Sequence, residues 1–90
     1  MNTENNKLIA EFMNCENHQA WEDDLYSNDW NWLMEVVEKI ESIKGTQIFI
    51  NGISCEVMFK GKVISKHFNT KIEAVYNACI EFIKWYNTQE

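Results

Sequence analysis

Ninety residues, 46% of them apolar, supply one small core and cannot be divided between two, so a single domain over residues 1–90 is expected. Fourteen acids against eight lysines, with no arginine, give a formal net charge of −6. That balance disfavours unaided binding to a nucleic-acid backbone and makes a basic protein surface the better electrostatic match.

The charge is unevenly placed: residues 1–45 hold ten acids and three lysines, residues 46–90 four acids and five lysines. Cys15, Cys55 and Cys79 are odd in number and widely spaced, which argues against a disulfide framework and for a reducing cytoplasm. The polar start Met1-Asn2-Thr3-Glu4-Asn5-Asn6 does not read as a secretory signal, and no apolar run approaches membrane-spanning length. A soluble intracellular protein is the expectation.

Thr3 is placed to cap a first helix over about residues 4 to 13, with Leu8, Ile9, Phe12 and Met13 as its apolar stripe. Three turns are too few to be stable alone, so this helix must dock. Residues 14–28 lose the periodicity and read as a long ordered loop, with Trp21, Leu25 and Tyr26 set among polar and acidic residues. Loops of that length often carry the function of a small domain. Ser27, Asn28 and Asp29 offer caps for a second helix running to about Lys44, with Gly45 as its terminator. Along it Trp30, Leu33, Val37 and Ile40 recur at helical spacing beside Met34, Val36 and Ile43, while Glu35, Glu38, Lys39 and Glu41 fall largely elsewhere.

Residues 46–50 and 53–60 flank Asn51-Gly52, a strong hairpin signal because both residues tolerate positive φ. In the second strand Ile53, Cys55, Val57 and Phe59 alternate with Ser54, Glu56, Met58 and Lys60, which gives one buried face. Gly61 marks the next turn, and residues 62–67 return as a third strand. Thr70-Lys71-Ile72-Glu73 has the form of a capping box, opening a helix with Ile72, Val75, Tyr76, Cys79, Phe82, Ile83 and Tyr86 on one face and an end near Asn87. The expectation is an α+β fold of order α-α-β-β-β-α, a three-stranded antiparallel sheet with three helices. Phe49, Met58 and Ile64 fall on its expected outer face, so the first helix or the long loop is expected to cover that face and complete an α-β-α sandwich.

Three segments resemble, in order, parts of the small phage ABA-sandwich family. Leu8-Ile9-Ala10-Glu11-Phe12-Met13 is similar to its opening helix, and Trp30-Asn31-Trp32-Leu33-Met34-Glu35-Val36-Val37-Glu38-Lys39-Ile40-Glu41 to its central signature. Lys71-Ile72-Glu73-Ala74-Val75-Tyr76-Asn77-Ala78, continued by Glu81-Phe82-Ile83-Lys84-Trp85-Tyr86-Asn87, is similar to its closing segment. The resemblance covers more than a third of the chain and implies a sheet between helices and a phage or prophage setting, often in Bacteroidetes. It implies no catalytic residues. Glu35 stands where family members often place proline, a local change, since proline is tolerated in a first helical turn and glutamate there is favoured by the helix dipole. Glu22-Asp23-Asp24 is not part of the family pattern, which points to that loop as the particular feature of this protein.

Cys15 and His18 have the spacing of half a metal site, but structural zinc needs four ligands, and Cys55, Cys79 and His67 are scattered over other elements. Cys55 and Cys79 sit at core-facing positions as small hydrophobes. Nothing orients Cys15 toward His18 or His67 as nucleophile and base, so the chain does not read as an enzyme and no cofactor or metal is expected. Glu22, Asp23, Asp24 and Asp29 lack the spacing of a calcium loop. A solvated charge run is their bland reading. The functional reading is a partner-binding surface of Trp21, Glu22, Asp23, Asp24, Tyr26, Asp29 and Trp32, with aromatic anchors bordering acids. Trp30 is expected in the core, Trp32 and Trp85 at the surface, and Lys60, Lys62 and Lys66 as edge-strand protection.

With the phage setting, charge suggests a non-catalytic accessory protein in the cytoplasm of an infected or lysogenic bacterial host. It would inhibit an antiviral defence component in the manner of an anti-CRISPR, docking on the basic surface through which a nuclease handles nucleic acid. The alternative is a sponge for a cyclic-nucleotide-type defence signal, which needs a concave pocket lined by aromatics and lysines. A monomer or small homo-oligomer without membrane attachment is expected.

Overall fold

Capping side chains set where two of the three described helices begin. In the computed structural model, which describes residues 3–13 and 29–88, α1 is Thr3–Phe12, α2 is Trp30–Glu41 and α3 is Lys71–Asn87. Asp29 caps α2, its carboxylate accepting the Asn31 N–H at 2.8 Å and so satisfying one of the donors that a helix start leaves open. Thr70 caps α3: its hydroxyl oxygen accepts the Glu73 N–H at 3.2 Å and donates to Glu73 Oε1 at 2.9 Å, tying together the two ends of the capping box. α2 ends three residues before Lys44. The Ser42 hydroxyl and N–H bond the Lys39 carbonyl and the Ile43 N–H bonds that of Ile40, a tightened last turn that hands the chain to Gly45 at φ +84°.

Between α2 and α3 lie β1 (Thr46–Asn51), β2 (Ser54–Phe59) and β3 (Lys62–His67), an antiparallel sheet of order β1-β2-β3. The first turn is displaced by one residue from the Asn-Gly expectation. Asn51 pairs with Ser54, so the turn residues are Gly52 and Ile53, and of these only Gly52 has positive φ, at +59°. One positive φ at the first central position is the II′ pattern, whereas an Asn-Gly I′ turn needs two. Ile53 consequently leaves the buried face and is exposed, while Cys55, Val57 and Phe59 remain in the core. The second turn, Lys60-Gly61, does have two positive φ values, +46° and +77°.

Register decides which residues share a face. Val57 pairs with Ile48 and Ile64, so Ile64 belongs to the inner face and packs against the core. Val63, opposite Met58, takes the outer position instead. On the inner face α3 crosses β2 and β3 while α2 packs on β1 and on α3. The α+β class and the order α-α-β-β-β-α are as the sequence predicts.

α1 does not cover the outer sheet face. It packs on α3, where the buried Tyr76 hydroxyl donates to Asn6 Oδ1 at 2.6 Å, and the Lys39 ammonium of α2 donates to the Phe12 carbonyl at its end. With α1 on one side and the sheet on another, α3 buries Ala74, Ala78 and Ile80 as well as Val75, Tyr76, Cys79, Phe82 and Ile83 of the expected stripe. Among the described residues the outer sheet face stays open: Phe49 is 48%, Met58 42% and Val63 56% exposed.

Candidate functional site

The expected partner-binding residues fall into two groups. Trp21, Glu22, Asp23, Asp24 and Tyr26 lie outside the described residues, as do Cys15 and His18. Asp29 and Trp32 are described, and both have structural work: Asp29 is the α2 cap, and Trp32 is half-buried against the core. Trp30, expected inside, is 38% exposed instead. Leu33, Val36, Val37 and Ile40 form the buried stripe of α2, and the two tryptophans stand at its opposite margins. Spacing alone does not choose between such margins. The neighbouring elements do, by packing against Trp32. Trp85, expected at the surface, is likewise half-buried, its ring 4.4 Å from that of Phe59 and 5.7 Å from that of Phe82.

The exposed side of α2 that begins at the Trp30 margin carries a surface that the sequence reading did not single out. Trp30, Met34, Glu38 and Glu41 fall within about a quarter turn of one another, all exposed, with Glu35 beside them. The helix thus presents two large apolar side chains near its start and carboxylates toward its end. Acids near a helix C-terminus are opposed by the helix dipole, so this placement does nothing for the helix itself. Lys39 forms no ion pair with them among the described residues; its ammonium donates to the Phe12 carbonyl and lies 4.8 Å from the centre of the Phe12 ring. The signal was present as Trp30, Met34, Glu38 and Glu41 at i, i+4, i+8 and i+11, a stripe visible once Trp30 is moved from the core.

The outer sheet face is a second surface. Gln47, Met58 and Val63 form one row across the three strands, Phe49, Glu56 and Ser65 the next, and Asn51, Ser54 and His67 the last. One end is apolar and the other polar. There Ser54 Oγ and His67 Nδ1 are 2.9 Å apart, an exposed cross-strand pair of the kind that holds a sheet register.

The buried thiols are not poised for chemistry. Burial pushes the Cys55 thiol up to about 11, with the nearby Glu56 carboxylate adding to the shift. Burial pushes Cys79 up further still, with Cys55 adding to it. Both are therefore protonated near neutrality and act as small hydrophobes. Among the described residues no three His, Cys, Asp or Glu side chains gather where they could hold a metal ion. No described helix is long and apolar enough to cross a membrane. No family model, curated protein or solved structure matches the chain.

Proposed function

We propose that the protein is a non-catalytic binder of a basic protein surface. In the phage setting that the resemblance implies, it works in the cytoplasm of a bacterial host as an anti-CRISPR-like inhibitor, occupying the surface on which a defence nuclease handles RNA or DNA. The observation that carries this reading is the exposed face of α2, where Trp30 and Met34 stand in line with Glu38 and Glu41. Apolar side chains of this kind fill pockets on a partner, while a row of carboxylates steers it toward a cationic groove. Glu22, Asp23 and Asp24 precede in sequence Asp29, the residue that caps this same helix, and add to the negative charge of this half of the chain. The net charge of −6 adds long-range attraction to a basic partner.

The test is inhibition of nucleic-acid cleavage by a panel of purified RNA-guided nucleases. Inhibition at stoichiometric protein, weakened when Glu22, Asp23 and Asp24 are changed to Gln and Asn and weakened again by Glu38→Gln with Glu41→Gln, is the expected result. Absence of inhibition across the panel, together with co-purification of an ultraviolet-absorbing small ligand, would replace this reading with the sequestration of a nucleotide signal.

A further inference from the structure

We infer that the free edge of β1 is a strand-addition site for an extended segment of a basic protein. The inference rests on the binder reading above and specifies how such a partner is held.

The two-residue turn between Asn51 and Ser54 fixes which backbone groups face outward. Residues flanking a turn of this length exchange hydrogen bonds, and in an antiparallel pair such residues alternate with others that point away. Asn51, Phe49 and Gln47 therefore bond β2 through their paired Ser54, Glu56 and Met58. Ile48 and Ile50 direct N–H and C=O groups to the open edge, and no other strand pairs there among the described residues. The Thr46 N–H is already taken by the Ile43 carbonyl at 3.1 Å.

The two edges of the sheet are built differently. β3 carries Lys62 and Lys66, the charges with which edge strands resist unwanted pairing. β1, Thr-Gln-Ile-Phe-Ile-Asn, has no charge and no proline, and its six successive pairs with β2 contain no bulge. It is a regular template that no described strand covers. On its outer face Phe49 offers an exposed ring beside which an added strand would lay alternate side chains.

Charge selects the occupant. α2 is the helix packed on β1, and it exposes Glu35, Glu38 and Glu41 against the exposed Lys44 that follows it. A second copy pairing β1 with β1 about a two-fold axis would bring the same acidic helix in from the other side, like charge against like. A lysine- or arginine-bearing segment meets the opposite condition, with main-chain bonds supplied by Ile48 and Ile50 and its cations attracted by the acidic helix packed on β1.

The test uses the full chain and two ten-residue peptides, one alternating valine with lysine and one alternating valine with glutamate. The protein is also assembled by ligation at Cys55 with a methyl group on the Ile50 backbone nitrogen, which removes an outward donor and keeps the side chain. The lysine peptide is expected to shift the Ile48 and Ile50 amide resonances, to slow their hydrogen exchange about tenfold or more, and to bind about tenfold tighter than the glutamate peptide. Methylation should weaken the lysine peptide about tenfold. Should the methylated chain fail to fold, the exchange of Ile48 and Ile50 in the unmodified protein decides. Equal affinity for both peptides, or shifts confined to β3 or α2, overturns the inference. So does a dimer abolished by methylation, or a methylated protein that loses stability without losing peptide affinity, since the edge would then belong to a second copy or to this chain itself. Nuclease inhibition unaffected by methylation refutes the edge and leaves the binder reading standing, whereas peptide binding without any nuclease inhibition does the reverse.

Discussion

Lys60 holds the left-handed conformation, φ +46°, at the first central position of a turn whose second is Gly61. A side chain there costs on the order of 1–2 kcal/mol through its Cβ, and turns with two positive φ values favour asparagine or glycine. Lys60→Asn should raise the urea midpoint, with a gain of about 0.5–1 kcal/mol and an unchanged slope. A lower midpoint would show that the lysine side chain is worth more than the strain. Cys55 gives a second residue-level expectation. Its thiol is raised from 9.0 to about 11 in the folded protein, so below pH 9 both states are protonated and stability is unaffected by the group. From pH 9 upward the unfolded thiol ionises first, and stability falls as pH rises through the folded value near 11. Cys55→Ala should therefore flatten the loss of stability above pH 9 relative to the unaltered protein, as followed by denaturant titration at each pH. Parallel losses would mean that the thiol ionises equally in both states. At this scale the sequence was partly legible: Asp29 and Thr70 announce the helix starts by their type, whereas Trp30 and Trp32 sit at equivalent margins of one stripe and are sorted only by what packs on them.

α3 carries the core. Phe82 is fully buried, its ring edge-on to Phe59 at 5.1 Å, and it bridges helix and sheet. Phe82→Ala should cost about 3–5 kcal/mol, a large share of the stability of a small domain. An unchanged denaturation midpoint would contradict that placement. Phe49→Ser, on the open outer face, should in contrast shift the midpoint little and act on binding instead. The strands show why periodicity is not register. Alternation places Cys55, Val57 and Phe59 on one face from the sequence alone, but the partner strand needs the turn to be counted correctly. Counting back from the Lys60-Gly61 turn sets Val63 opposite Met58 and moves Ile64 inside, since a slip of one residue exchanges the two faces. The extra buried residues of α3, Ala74, Ala78 and Ile80, were not legible because α3 is packed by α1 and α2 as well as by the sheet, and the stripe on one face does not announce those further neighbours.

At the scale of the molecule the charge asymmetry was legible before any fold: ten of fourteen acids lie in residues 1–45. The structure gives three of those acids, Glu35, Glu38 and Glu41, a place on the exposed side of α2, with two large apolar side chains in line with Glu38 and Glu41. Trp21, Glu22, Asp23, Asp24 and Tyr26 lie outside the described residues, so the acidic loop stands as a reading of the sequence. Exposed carboxylates act over distance and are screened by salt, so their contribution should appear in the rate of encounter more than in the lifetime of the complex. The measurement that tests the account most directly is the association rate with a purified RNA-guided nuclease, followed against salt for the unaltered protein and for Glu35→Gln, Glu38→Gln and Glu41→Gln combined. Association should slow steeply as salt rises, and at low salt the combined variant should associate about tenfold more slowly with little change in dissociation. A folded variant that associates as fast as the unaltered protein, with the same salt dependence, would contradict the account.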